Sequence, residues 1–349
     1  MGTGTDVDAD GEGDTGTEEL TLVEAVRDGL FTEMQADDDV VVLGEDVGRN
    51  GGVFRATEQL YDTFGEDRVI DTPLSEAGIV GSAIGLSING LRPVAEMQFL
   101  GFSYPAFDQI VNHAARMRSR SLGKYHCPMV IRAPYGGGIR APEHHSESTE
   151  ALFAHYPGLK VVVPSTPADT KGLLTSAIRD PDPVVFLEPA RRYRSAREPV
   201  PTGEHAVPLE SATVRRPGTD VTLVTWGAMV QDVLTAAEAL TAEGIDVEVV
   251  DLRTLSPMDT ATPIASVEKT GRAVVVHEAP RLAGLGAEVV STIQEEALLH
   301  LEAPVERVTG FDVPFPLYAI EDYYLPEAQR IADAVRRVVA FPDESSAPE

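Results

Sequence analysis

The chain is poor in cysteine, lysine and long apolar runs. Cys127 is its single cysteine, so no disulfide can form within the chain, and a reducing compartment is expected. No apolar run approaches the ~20 residues that span a bilayer, and the start of the sequence lacks the basic-then-apolar pattern of a secretory signal. We therefore expect a cytoplasmic protein without a membrane partner.

Positive charge is also scarce. The sequence has 56 acidic and 28 basic residues, a net charge of −28, and its only lysines are Lys124, Lys160, Lys171 and Lys269. Such a surface repels nucleic acids and anionic membranes, so neither is expected as a partner. Acid excess with arginine in place of lysine resembles proteins of salt-accumulating halophiles, in which salt screens the self-repulsion.

Helix-like and strand-like segments alternate along the 349 residues, which are enough for two hydrophobic cores. Strands that alternate with helices of about 10–15 residues are typical of a parallel sheet covered on both faces. The pattern predicts a disordered acidic tail at 1–18, an α/β domain at 19–200, a linker at 201–218, a second α/β domain at 219–341 and an acidic tail at 342–349.

Three local patterns lead to definite expectations. A helix is predicted at 76–89, followed by Gly90 as its C-terminal cap, and a continuous helix is predicted at 105–123. The stretch from Asp6 to Gly11 imitates the start of a calcium loop. Its twelfth position is Thr17 rather than a glutamate, so calcium binding is not expected there.

Ligands of open α/β sheets bind beyond the carboxyl ends of the strands. Four segments fall at such ends: "GEDVGRNGGVF", "DTPLSEAG", "EMQFLGFSYPAFDQ" and "APYGGGIRAPEHHSES". None contains a Walker loop, a helical zinc-protease motif or a serine nucleophile elbow. These absences argue against P-loop nucleotide hydrolysis and the usual hydrolytic mechanisms.

Glu76 stands directly before a Gly/Ala-rich apolar helix, and its position has two interpretations. An acid after Ser75 in a first helical turn is favoured by capping and by the helix dipole. Alternatively, the apolar helix keeps Glu76 away from water so that it can share a proton with a ligand.

Several ordered motifs, spread from about residue 20 to 340, resemble one family. They are "LGEDVGRNGGVFRAT", "VIDTPLSEAGIVGSAIGLSINGLRPVAEMQF", "PAFDQIVN", "RAPYGGGIR", "HHSES", "PGLKVVVPSTPADTKGLL", "HEAP" and "VTGFDVPFP". The chain resembles the beta subunit of the thiamine-diphosphate-dependent, decarboxylating first component of 2-oxo acid dehydrogenase complexes. The resemblance implies a parallel-sheet α/β domain that binds the pyrimidine of the cofactor, followed by a transketolase C-terminal-like α/β domain.

The resemblance also assigns roles to residues at the strand ends. It implies that Glu76 is the catalytic acid/base that binds the aminopyrimidine ring, and that Phe102 packs on that ring. It implies that His145 contacts the reaction intermediate or the incoming lipoyl group, and that Glu45 lies near the cofactor.

A structural potassium ion is implied as well. The corresponding ligands are the backbone carbonyls of Met129, Ala177 and Ile178, with Asp180 and Asp182 alongside. Unpaired carbonyls at a helix end suit a cation. The same residues can equally be read as an ordinary helix end beside Arg179 and Pro181.

In this family a Gly-Asp-Gly…Asn motif holds the diphosphate and its Mg²⁺, and this chain has no credible copy of it. The resemblance therefore implies a half-site that an alpha subunit completes in an α2β2 heterotetramer. The substrate implied is a 2-oxo acid, and the further partner implied is a lipoyl-acyltransferase core. Pyruvate and branched-chain substrates stay open, although "RAPYGGG" and "LEAP" lean towards the branched-chain members. The alternatives are an acetoin dehydrogenase beta subunit, an assembly subunit that docks the acyltransferase, and a stand-alone hydrolase using His144 and His145.

Overall fold

The computed structural model describes residues 16–341. The calcium-like stretch after Asp6 and the acidic tail at 342–349 lie outside these residues, as does most of the tail predicted at 1–18. The end of that tail is ordered, however, because strand β1 covers Thr17–Leu20 and pairs antiparallel with strand β8, Glu198–Pro201. Within the described part, no helix is long and apolar enough to cross a bilayer.

The α-helices follow the predicted alternation. Their bounds are α1 Leu22–Ala36, α2 Leu60–Phe64, α3 Glu76–Ile88, α4 Met117–Arg120, α5 Glu150–Ala154, α6 Pro167–Arg179, α7 Met229–Thr241, α8 Ala261–Thr270, α9 Gly286–Ala297, α10 Glu321–Tyr324 and α11 Ala328–Val339.

The remaining strands alternate with these helices. They are β2 Val40–Gly44, β3 Val69–Asp71, β4 Arg92–Glu96, β5 Val130–Tyr135, β6 Lys160–Val162, β7 Val184–Pro189, β9 Thr213–Arg216, β10 Val221–Thr225, β11 Val247–Asp251, β12 Thr254–Ser256, β13 Ala273–Val276 and β14 Glu306–Val308.

Two main sheets form from these strands within residues 16–341. The first has the order β12-β6-β7-β5-β4-β2-β3 and is parallel apart from β12, and the second has the order β14-β13-β10-β11-β9 and is parallel apart from β9. Strands β2, β5 and β7 are buried along their whole length, as expected for a sheet covered on both faces. Strand β12 comes from the second half of the chain, so the two halves share one sheet. Strand β9 lies within the segment predicted as a linker.

Local sequence accounts for several helix ends. Thr21 and Glu24 form a reciprocal capping box at the start of α1. The prediction for α3 is confirmed to within one residue, since the helix begins at Glu76 and ends at Ile88, with Asn89 as its C-cap, and Gly90 follows with a φ of 103°. This positive φ is the backbone conformation that favours glycine after a helix.

The helix predicted at 105–123 is confirmed as a helical segment, but it is not a regular α-helix. The chain forms a 3-10 helix at Leu100–Ala106, a π-helix at Gln109–Ala114 and the short α4. Pro105 has no N–H to donate to a regular helix. The hydroxyls of Ser119 and Ser121 donate to the carbonyls of Arg116 and Arg118, and such side-chain bonds compete with regular helix hydrogen bonds.

Candidate active site

One edge of the first sheet gathers the four residues predicted to contact the cofactor and substrate. Strands β3, β2, β4 and β5 are parallel neighbours, so their carboxyl ends meet at the same edge. Glu45 follows β2, Glu76 starts the helix after β3, Phe102 lies in the 3-10 helix after β4, and His145 lies in the loop 136–147 after β5. All four side chains are half-buried.

Glu45 and Glu76 lie close enough to influence each other. Burial raises the pKa of the Glu45 carboxyl, and the negative charges of Glu76 and Asp46 raise it further. The Glu45 carboxyl therefore holds its proton more tightly than a free glutamate does.

The prediction that the apolar helix buries Glu76 is wrong for this chain by itself. The inward side of α3 consists of residues such as Ile79, Val80 and Ala83, which enter the core, whereas Glu76 at its first turn stays half-exposed. The capping interpretation also fails in part, because the Ser75 side chain makes no cap hydrogen bond. A second chain is needed if Glu76 is to be shielded from water.

An aromatic cluster surrounds the His145 ring. Its centroid lies 4.5 Å from that of Phe99 and 4.9 Å from that of Phe102, with an interplanar angle of 82° to Phe102. The His145 Nδ1 lies 2.8 Å from the Glu143 carbonyl oxygen. Because a carbonyl can only accept, Nδ1 carries the proton and Nε2 is left as the acceptor of the neutral ring.

Three buried charged residues that were not predicted from the sequence lie beneath the site. Arg132 on β5 donates to both carboxylate oxygens of Glu188 on β7, at 2.7 and 2.6 Å, and it also pairs with Glu96 on β4. Burial raises the pKa of Glu96, and the positive charge of Arg132 opposes the increase. The signal in the sequence was a charged residue inside the otherwise apolar strands "VIRAPY" and "VVFLEP", together with the glutamate that ends "RPVAE".

Comparison with known proteins identifies the family. Residues 18–195 match the family "Transketolase, pyrimidine binding domain", and residues 210–331 match "Transketolase, C-terminal domain". The chain is 54% identical over 323 residues to the pyruvate dehydrogenase E1 component subunit beta of Bacillus subtilis (strain 168), which covers 93% of this chain and 99% of that relative. The chain belongs to the pyruvate dehydrogenase E1 beta-subunit family.

Other members of the E1 beta family and one solved structure agree with this assignment. The subunit of the same name from Acholeplasma laidlawii is 51% identical over 319 residues, which are 91% of this chain and 98% of that relative. A structure described as a split gene transketolase, inactive beta4 tetramer, has a TM-score of 0.77 at 26% identity and covers 93% of this chain and 100% of that one. The predicted fold class and family resemblance are confirmed, and the acetoin alternative is not favoured.

The residues assigned to a potassium ion are engaged with cations of the chain itself. Lys160 Nζ lies 2.5 Å from Asp180 Oδ2, and Arg118 donates to both oxygens of Asp182 at 2.7 and 2.9 Å. Arg92 donates to the Ile178 carbonyl at 3.0 Å. The carbonyls of Met129 and Ala177 accept from the backbone N–H groups of Val184 and Asp180. Both carboxylates therefore have counter-ions within the chain, while each of the three carbonyl oxygens keeps a second lone pair.

Clusters of metal-binding side chains are absent from the described part of this E1 beta chain. Among residues 16–341, no group of three or more His, Cys, Asp or Glu side chains is arranged to hold a metal ion.

Proposed function

We propose that the chain is the beta subunit of a 2-oxo acid dehydrogenase first component. With an alpha subunit in an α2β2 heterotetramer, it would decarboxylate a 2-oxo acid oxidatively and acylate the lipoyl group of an acyltransferase core. The observation that carries the proposal is the gathering of Glu45, Glu76, Phe102 and His145 at one sheet edge, all half-buried. Pyruvate is the first substrate to test, because relatives at 51–54% identity bear that name.

The residues at this edge fit the pyrimidine half of thiamine diphosphate. The Glu76 carboxylate offers a hydrogen-bonding group for a ring nitrogen, and the half-exposed Phe102 offers a flat apolar face. When bound, the cofactor supplies the electron sink that decarboxylation requires. The sequence has no credible copy of the Gly-Asp-Gly…Asn motif that holds the diphosphate and Mg²⁺ in the family it resembles, which supports an alpha subunit as their binding partner.

Each side chain of the site has a proposed task. Glu76 would hold and exchange a proton at its carboxylate, and Glu45, whose own pKa is raised by burial and by the charge of Glu76, would lie beside it. Phe102 would exclude water from that proton. His145 would accept or deliver a proton through Nε2, since Nδ1 is engaged with Glu143.

The half-exposed state of the site supports a second chain as its cover. A carboxylate that shares a proton with a ligand works best where water is excluded, and α3 does not supply that shielding. The alpha subunit would complete it. The first domain would cover 19–200, and the second would begin before the predicted limit of 219 and run to 341, because β9 belongs to its sheet; β12 is a contact between the halves.

Co-expression with the alpha subunit tests this function. The purified tetramer should decarboxylate at least one member of a panel of pyruvate, branched-chain 2-oxo acids and acetoin, whereas the isolated chain should be inactive on all of them. Turnover by the isolated chain without thiamine diphosphate would contradict the half-site and would favour a stand-alone hydrolase. Activity on acetoin alone would favour the acetoin dehydrogenase alternative.

A further inference from the structure

The loop 136–147, which carries His145, is closed on itself. The Gly136 N–H donates to the Glu147 carbonyl at 3.0 Å, so the two ends of the loop meet. Near its tip, the His145 N–H donates to the Pro142 carbonyl at 3.3 Å. His144 has a φ of 68°, a conformation that turns the backbone sharply just before His145. The loop is therefore compact, and its orientation depends on what holds its base.

Two buried carboxylates from the second half of the chain hold that base. Glu278, just after β13, accepts a hydrogen bond from the Gly137 N–H at 3.2 Å, and Glu321, at the start of α10, accepts one from the Gly138 N–H. Glu278 is 4% exposed and Glu321 is 1% exposed. A carboxylate that accepts from a backbone N–H in a dry site makes a strong, directional contact.

The three consecutive glycines allow this close approach. A Cβ atom at position 136 would overlap the Glu278 carboxylate, and one at 137 would overlap the Phe315 ring. A Cβ atom at 138 would be pressed against the Arg191 side chain. The run "GGG" thus leaves room for the second half of the chain to contact the loop backbone directly.

The far side of the loop rests on the first sheet. A Cβ atom at Gly101 would overlap the His144 carbonyl, so the loop lies directly on the 3-10 helix that bears Phe102. The His145 ring then packs against Phe99 and Phe102. The loop is thus wedged between this helix and the two carboxylates.

We propose that Glu278 and Glu321 are positioning residues that set the place of His145 over Phe102 by binding the backbone of the glycine run. The proposal rests on the proposed function in one respect, namely that His145 takes part in the reaction. It goes beyond that function because it assigns a specific task to the second half of the chain within the active site.

The electrostatics of Glu278 agree with this task. Burial raises its pKa, and the nearby Arg191 and the Gly137 N–H oppose the increase. Its Oε1 has no hydrogen-bond partner within the described part of the chain, so the Gly137 contact is carried by Oε2. A glutamine at this position would retain an oxygen able to accept from Gly137, which makes it a conservative replacement.

Amide hydrogen exchange of the full chain tests the contact without reference to catalysis. Glu278→Ala should accelerate exchange of the peptide that covers residues 136–138 by about tenfold or more, because its N–H groups lose a buried acceptor. Glu278→Gln should stay close to the wild type. Glu296→Ala, at an exposed position of α9, is the matched control and should change nothing at 136–138.

If Glu278→Ala fails to fold, Glu321→Ala is the second variant, and it should show the same local acceleration. Unchanged exchange at 136–138 in a folded Glu278→Ala or Glu321→Ala variant would overturn the proposal. Acceleration spread over the whole chain, with a lowered melting temperature and no rescue by Glu278→Gln, would also overturn it, since that pattern marks a general structural role.

Acyl transfer by the reconstituted tetramer completes the test. Glu278→Ala should lower lipoyl acylation, Glu278→Gln should restore it, and His145→Ala measured in parallel tests the proposed function separately. If His145→Ala keeps full activity while exchange at 136–138 still responds to Glu278→Ala, the proposed role of His145 fails and the backbone contact stands. If exchange does not respond, the positioning proposal fails whatever His145 does.

Discussion

The His145 ring meets the Phe102 ring edge to face, with 4.9 Å between centroids and an angle of 82°. An imidazole and an aromatic face are thereby held together at the end of two neighbouring parallel strands. The contact unites two residues that lie 43 positions apart, 145 minus 102, and that only the family resemblance had connected. Separately from this contact, the His145 Nδ1 donates to the Glu143 carbonyl, which leaves Nε2 to meet a ligand.

Replacement of His145 should impair transfer to the lipoyl group. In the reconstituted tetramer we expect His145→Ala to lower acylation of a free lipoyl domain by about 100-fold, the usual effect of losing a positioned acid or base. The neighbouring His144 is the control, since its side chain is exposed. His144→Ala should stay within about twofold of the wild type, and equal losses for both variants would argue against a specific role of His145.

Buried Glu150 should make stability depend on pH. Burial raises the pKa of Glu150 from its usual value of 4.5 to about 7. The contribution of Glu150 to the free energy of unfolding is therefore fully present below pH 4.5. It falls by about 3 kcal/mol as the pH rises through 7. Relative to Glu150→Gln, the free energy of unfolding of the wild type should fall by about this amount across that range.

Urea unfolding at several pH values measures this difference. Glu143→Gln serves as the control, because Glu143 is exposed in the same region, and its difference from the wild type should not vary with pH. A constant difference between the wild type and Glu150→Gln from pH 4.5 to 8 would show that Glu150 keeps its usual acidity.

The buried Arg132 should be essential for stability. Arg132→Leu would leave Glu96 and Glu188 buried without their counter-ion and should lower the free energy of unfolding by about 3–5 kcal/mol. The control is Arg118→Leu, which breaks the more exposed pair with Asp182 and should cost about 1 kcal/mol or less. Similar losses for the two variants in urea unfolding would contradict this ranking.

The acidic surface should make stability rise with salt, without preference for potassium. A net charge of −28 is screened by added salt, so the tetramer should dissociate or unfold in dilute buffer and be stabilised by molar salt. KCl and NaCl should act equally, because Lys160 and Arg118 already neutralise Asp180 and Asp182. Melting temperatures measure both points. Unchanged stability in dilute buffer would oppose the halophilic interpretation, and stabilisation by millimolar KCl alone would indicate a potassium site.

The local parts of this fold are readable from sequence, and the non-local parts are not. Helix α3 and its end at Gly90 follow from composition and cap residues, and the parallel sheet follows from the alternation of strands and helices. The crossing of β12 into the first sheet depends on pairing between distant segments, which no local pattern encodes. The irregular 3-10 and π turns around Pro105 depend on local hydrogen bonding that the apolar pattern of this segment does not encode.

The site shows the same division. The motifs placed Glu76, Phe102 and His145 at one edge because the ends of parallel strands meet there. They could not show that α3 leaves Glu76 half-exposed, since burial depends on which side of the helix start the core lies. They also could not show the contact between Glu278 and Gly137, which are 141 positions apart.

Glu76 is the most direct test of the central claim. In the tetramer reconstituted with thiamine diphosphate, Glu76→Gln should lower decarboxylation by about 100-fold or more, because the amide cannot exchange a proton as the carboxylate does. Assembly with the alpha subunit should be unchanged, and Glu66→Gln, at an exposed position, should behave as the wild type. Full decarboxylation by an assembled Glu76→Gln tetramer would contradict the account.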